Sequence, residues 1–236
     1  MYKGPACPKD AAEVFRPTSN GAHMKISWVF DLISPYSYLG LGQLPLLPAG
    51  IEVDLVPALF GVILNHHGQI GPAEIDSKRR FTYRFVVWRA RQMGVAFKMP
   101  PAHPFNPLSA MRLVIAAGSD RGAVRTAFDF IFGQGRDVSD PVVLADLARA
   151  LGLPDLDSAL NDPAVKQTLR RNTQWAIERG VFGVPTFVVG NELFWGHDAF
   201  DMVVDYLRDP AGFEDAEMRR IDTLPVGVTR RRVTPT

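Results

Sequence analysis

Two short segments constrain this chain more than its composition does. They are Ser34-Pro35-Tyr36-Ser37 near its start and Gly183-Val184-Pro185-Thr186 near its end. The first follows Ile26–Asp31, a short apolar, β-rich run that reads as a strand. A serine followed by proline is the signature of an N-cap with proline at the first helical position, so a helix is expected from Pro35 to about Leu44. Ile51–Leu55 alternates apolar and acidic residues and reads as a second strand, which gives a β-α-β unit. The second segment leads into Thr186–Val189. This and Glu192–Trp195 flank Gly190-Asn191, a pair suited to a tight hairpin turn.

Between these halves the pattern is helical. Phe81, Phe85, Trp88 and Gln92 recur in steps of three or four. Met111, Leu113, Val114 and Ala117 follow Pro107, and Val124, Phe128, Ile131 and Phe132 form another set. Asp140-Pro141 and Asp162-Pro163 are cap-plus-proline starts, the second opening a helix that ends at Gly180. The expected organisation is α/β. Residues 24–72 and 181–208 form one domain, residues 73–180 an all-helical insertion, and 209–236 a tail of little periodicity that crosses the surface or packs on a partner subunit. Residues 1–23 read as a leader or a cloning-derived segment ending in Gly21-Ala22-His23-Met24. Asp198 is expected to cap a last helix through Met202, Val203 and Leu207.

Composition removes several function classes. A net charge of +1 over 236 residues gives no electrostatic case for nucleic acid or an anionic membrane. No run approaches the roughly 18 apolar residues of a membrane span. The single cysteine, Cys7, rules out an intrachain disulfide and a cysteine metal site. A soluble, cytoplasmic protein is the expectation. His66-His67 has no matching acidic or cysteine set nearby, so a solvated loop is expected there and no metal site.

The two segments resemble the halves of a thioredoxin-type site, with Ser-Pro-Tyr-Ser in place of Cys-x-x-Cys. Such a pocket keeps its shape and loses its redox sulfurs, so a dithiol oxidoreductase is excluded. A thiol then has to arrive as a ligand, and glutathione is the candidate. A hydroxyl at a helix start can hydrogen-bond a thiolate and keep it ionised, because such settings lower thiol pKa values to roughly 3.5–7.5. Ser34 as a plain helix cap is the other reading of the same residue. A cis Val184-Pro185 bond would turn the Val184 N–H and C=O toward the Ser34 helix, where an extended peptide can add as a strand. An ordinary loop proline is its alternative.

The wider chain resembles the 2-hydroxychromene-2-carboxylate isomerases, in the DsbA-like thioredoxin branch that also holds the kappa-class glutathione transferases. The resemblance is carried in order by Ser34-Pro35-Tyr36-Ser37-Tyr38-Leu39, Gly68-Gln69-Ile70-Gly71-Pro72, Lys78-Arg79 and Pro104-Phe105-Asn106. Val181-Phe182-Gly183-Val184-Pro185-Thr186 and Phe194-Trp195-Gly196-His197-Asp198 complete it. It implies a thioredoxin-like domain with a large helical insertion. It also implies a glutathione-dependent isomerase in aromatic catabolism, and a homodimer. By the same resemblance Ser34 contacts the glutathione sulfur and Val184, before Pro185, pairs with the cysteinyl backbone. Lys78 lies near a glutathione carboxylate, Asn106 lines the pocket, and Asp198 with His197 stands at the γ-glutamyl end. Tyr36, Phe60 and Trp195 are expected to pack an aromatic substrate or to belong to the core. Three positions depart from the family pattern: Ala199 where arginine is usual, His197 where Gln or Asn is common, and Gly71 for the first of two prolines. These bear on the second substrate, and leave a kappa-like transferase and a non-catalytic glutathione-binding protein as rivals.

Overall fold

The structure, a computed structural model, describes residues 24–228. The leader with Cys7 and the Arg230-Arg231-Arg232 end lie outside the described residues. Strand β1 (Met24–Phe30) is buried over its last three residues, which requires cover on both faces of the sheet. Ile26, Trp28 and Phe30 join the larger core beneath the helical segment, whereas Val29 faces a second core with Val56, Ile63, Ala176 and Val188. The alternation along one strand therefore ties the two layers together.

The sheet has the order β2-β1-β3-β4, with β2 (Ile51–Pro57), β3 (Thr186–Val189) and β4 (Glu192–Trp195). β1 and β2 are parallel, joined through α1 (Pro35–Leu41), as the β-α-β pattern predicts. β3 lies antiparallel to both β1 and β4, and Gly190 supplies the positive φ of 61° at the hairpin. This is a DsbA-like thioredoxin fold with a mixed four-stranded sheet and a helical insertion.

From α3 (Asp76–Gln92) the chain runs through α4 (Leu108–Ala116), α5 (Arg121–Phe128), α6 (Pro141–Ala150), α7 (Leu156–Asn161) and α8 (Pro163–Glu178). No strand interrupts this stretch among the described residues. Asp140 and Asp162 cap α6 and α8 as their cap-plus-proline pattern predicts, accepting from Val142 N and Ala164 N at 2.7 Å each. No helix is long and apolar enough to cross a membrane among the described residues.

Three expectations are corrected. The His66-His67 pair is not in a loop: His66 ends a helix (Phe60–His66, α2) and His67 caps it, with its Nε2 3.0 Å from the Val181 carbonyl. The overlooked signal was Phe60, Ile63 and Leu64, spaced i, i+3, i+4. The Phe81–Phe85–Trp88 stripe marks α3 as its spacing predicts, and the buried face of the helix is Thr82, Val86 and Ala90. Phe81 is 66% and Trp88 52% exposed. Asp198 caps no helix. It lies in a single 3-10 turn (His197–Ala199), and Ala199 occupies the cap position of α9 (Phe200–Arg208) without a side-chain bond. The 209–236 tail is not wholly irregular either, since Asp215 caps a short α10 (Ala216–Asp222) through the N–H groups of Glu217 and Met218.

Candidate functional site

The site begins where β1 ends. Ser34 has extended backbone (φ −90°, ψ 111°) and takes the N-cap position of α1, with its Oγ accepting from Ser37 N at 3.2 Å. The same hydroxyl donates to the Val184 carbonyl at 3.4 Å, across the junction between the two halves of the sequence. That second bond is long for an O–H donor, so the proton is held weakly and is available to a better acceptor.

The Val184-Pro185 bond is cis. The segment around it is pinned on either side: Thr186 Oγ1 donates to Gly183 O at 2.7 Å, and Gly196 N donates to Pro185 O at 2.8 Å. The Val184 N–H makes no hydrogen bond among the described residues. An open backbone donor beside a half-engaged hydroxyl is the edge to which an extended peptide can pair.

In front of this edge lies a cavity of about 400 Å³. That volume suits a small peptide and leaves it partly open to a second molecule. Tyr36 and Phe60 stand in its wall, as do Lys78, Val184, Trp195, His197 and Asp198. Ser34, only 6% exposed, lies behind Val184 and is not itself a wall residue. Pro185 is not in the wall either, and a Cβ at Gly40 of α1 would stand 3.4 Å from its Cγ. Asn106 is placed elsewhere. It is exposed, its Oδ1 accepts from Leu108 N at 3.0 Å at the start of α4, and it is not among the lining residues.

The wall carries charge at two points, the Lys78 ammonium and the Asp198 carboxylate, and is otherwise mostly aromatic and aliphatic. His197 is 4% exposed and stacks on Tyr36 at 5.3 Å. Burial holds its pKa below the usual imidazole range, against the pull of Asp198, so the ring is neutral at pH 7. Burial, with the Asp198 carboxylate adding to it, pushes the Tyr36 phenol up, which keeps its O–H in place. Gly183 has no room for a side chain, because a Cβ there would run into the Trp195 indole. That indole is 55% exposed and stands edge-on to Phe182 at 5.2 Å, as a rim rather than as core.

The family model of the DSBA-like thioredoxin domain matches residues 25–208. The 2-hydroxychromene-2-carboxylate isomerase of Sphingobium xenophagum is 30% identical over 193 residues, covering 78% of this chain and 98% of that protein. The chain belongs to the 2-hydroxychromene-2-carboxylate isomerase family of DSBA-like thioredoxin domains. Glutathione s-transferase kappa 2 of Caenorhabditis elegans is 25% identical over 207 residues, covering 78% of this chain and 92% of its own. A solved 2-hydroxychromene-2-carboxylate isomerase superposes with a TM-score of 0.68 at 22% identity over 83% of this chain and 99% of that one, which shows the shared fold.

Sequence reasoning about this family member passed over Asp31, three residues before Ser34. Its carboxylate is fully buried and accepts from Ile33 N at 3.0 Å and Phe60 N at 2.8 Å. An acid closing an apolar strand was the available signal. Burial raises its pKa from 3.8 to about 6, opposed by the two N–H donors. A folded value above the unfolded one means that ionisation works against folding. The penalty is absent below pH 3.8, grows between 3.8 and about 6, and is complete above that, reaching roughly 3 kcal/mol. The carboxyl ¹³C resonance of Asp31 is therefore expected to titrate near pH 6 in the folded protein. A midpoint at or below 3.8 would contradict this effect of burial.

Proposed function

We propose that this protein is a glutathione-dependent isomerase of the 2-hydroxychromene-2-carboxylate isomerase type. The observation that carries the reading is the Ser34 hydroxyl 3.4 Å from the Val184 carbonyl behind the cavity, in a described site with no sulfur of its own. The donor set fits an extended, zwitterionic peptide thiol. Val184 offers a backbone N–H, Lys78 a cation for a ligand carboxylate, and Asp198 an anion for its α-ammonium. When bound, glutathione supplies a thiolate that adds reversibly to the aromatic substrate and is regenerated.

Ser34 would swing its O–H from the Val184 carbonyl to the sulfur, because an anionic acceptor makes the stronger hydrogen bond. The hydroxyl favours the thiolate before attack and after departure, the two points at which the negative charge sits on sulfur. Tyr36, Phe60 and Trp195 provide flat apolar surface for a ring system, and the uncharged His197 ring is stacked on Tyr36. Asn106 belongs to this reading only if the loop before α4 turns toward the ligand. A homodimer and a cytoplasmic location go with the proposal.

Titration calorimetry with glutathione and with S-methylglutathione tests the cofactor. The free thiol is expected to bind about tenfold tighter, the worth of one charge-assisted hydrogen bond. Equal affinities would remove Ser34 from the sulfur site. Assay of a hydroxychromene carboxylate with trace glutathione tests the reaction, with a rearranged product and unconsumed glutathione expected. Accumulation of a stable conjugate would favour the kappa-class transferase reading instead, which the nematode relative supports.

A further inference from the structure

A three-residue chain of hydrogen bonds joins the helical segment to the residue before Ser34. His103 lies in the loop between α3 and α4, half-buried, with its ring edge-on to Phe105 at 5.9 Å. Its Nε2 is 2.7 Å from the Ile33 carbonyl. Its Nδ1 is 2.7 Å from the Tyr83 hydroxyl of α3, which also lies 2.7 Å from the His103 carbonyl. From these contacts we infer that His103 is a positioning residue for Ser34, fixed as the neutral Nε2–H tautomer. This rests on the reading of Ser34 as the thiolate's partner.

The tautomer follows from donor accounting. A backbone carbonyl only accepts, so the ring must present N–H at Nε2, and Nδ1 of the uncharged ring shares the single Tyr83 O–H with the His103 carbonyl. Burial favours the uncharged ring in the same direction. The effect on Ser34 follows from the peptide plane. Ile33 C=O and Ser34 N–H belong to one planar unit, whose carbonyl is held by His103 and whose N–H donates to Asp31 O at 3.0 Å. Ile33 N in turn donates to the Asp31 carboxylate. With the plane fixed at both ends, Ser34 keeps the backbone angles that aim its Oγ at the site. Tyr83 hangs from the helix that contributes Lys78, Thr82 and Phe85 to the cavity wall, so the wall and the serine are tied by one short path.

The test has a ligand-free part and a glutathione part, both on the full chain. Long-range ¹H–¹⁵N spectra of the imidazoles should show His103 protonated at Nε2. Amide exchange at Ser34 should quicken about tenfold in His103→Leu, the loss of one hydrogen bond, and recover in His103→Gln, whose amide N–H can reach Ile33 O. With glutathione, the ultraviolet absorbance of the thiolate should show the bound thiol's pKa raised by about one unit in His103→Leu. Turnover should drop about tenfold while KM for glutathione rises by no more than about tenfold, the ceiling set by a one-unit change in the bound thiol's pKa. An Nδ1–H tautomer, or wild-type Ser34 exchange in folded His103→Leu, overturns the inference. Where His103→Leu does not fold, Tyr83→Phe replaces it with the same expectations at smaller size. A wild-type protein that binds no thiolate defeats the proposed function alone, since the tautomer and exchange results are read without ligand.

Discussion

Replacing Ser34 with alanine is expected to lower turnover by about 10²–10³-fold, the usual consequence of deleting one hydrogen-bond donor to a reacting anion. Glutathione should still bind through Val184, Lys78 and Asp198 but about tenfold more weakly, so the loss is shared between kcat and the KM for glutathione. The bound thiol's pKa should rise by about one to two units, matching a charge-assisted bond of roughly 1.5–3 kcal/mol. Ser34 is also the cap of α1, accepting from Ser37 N, and that role alone would give a loss of about 0.5–2 kcal/mol in stability. Ser34→Gly separates the two roles, because glycine in a cap position gives up only a few tenths of a kcal/mol while also lacking the hydroxyl. If Ser34→Ala and Ser34→Gly lose equal activity at unequal stability, the hydroxyl acts on the sulfur. Activity that tracks melting temperature would mean that Ser34 is a cap and nothing more.

Trp28→Ala is expected to destabilise the fold by about 3–5 kcal/mol, read as a shift in the denaturant midpoint at constant m-value. Trp28 is fully buried on β1, between its pairing partners Leu55 on β2 and Phe187 on β3. Its ring stacks on Phe30 at 5.1 Å, and a Cβ at Gly40 of α1 would meet its edge at 3.5 Å. Truncation leaves a void between the sheet and the helix that carries Ser34, with no neighbour able to fill it. The indole N–H makes no hydrogen bond among the described residues, so Trp28→Phe should be far milder than Trp28→Ala. Equal losses in the two variants would mean that Trp28 does not stabilise the fold by filling volume.

The scaffold was legible where one residue type does one local job. Ser34-Pro35 announced the start of α1, Asp140-Pro141 and Asp162-Pro163 announced α6 and α8, and Gly190-Asn191 announced the hairpin. Capping chemistry acts over three or four residues and needs no distant partner. Reading failed where the decisive contact was distant. The α3 stripe of Phe81, Phe85 and Trp88 announced a helix but not which of its faces is buried. Periodicity reports that a face is apolar, not what it is set against. Asp198 looked like a cap because it precedes a helix, yet an intervening 3-10 turn leaves its carboxylate in the cavity wall. His103 had no sequence signal, since its contacts with Ile33 and Tyr83 arise from tertiary approach.

The sequence by itself determined the order of the strands and main helices, the family and the absence of a sulfur pair at the site, because these depend on residue identity and on rules that act within a turn of helix or strand. Only the tertiary structure decided that Ser34 meets the Val184 carbonyl, that Lys78 and Asp198 share one cavity, and that Asn106 stands outside its wall. Those facts depend on how the helical segment and the sheet close on each other. That closure is the sum of many weak, non-directional contacts in two cores, and no short motif encodes it.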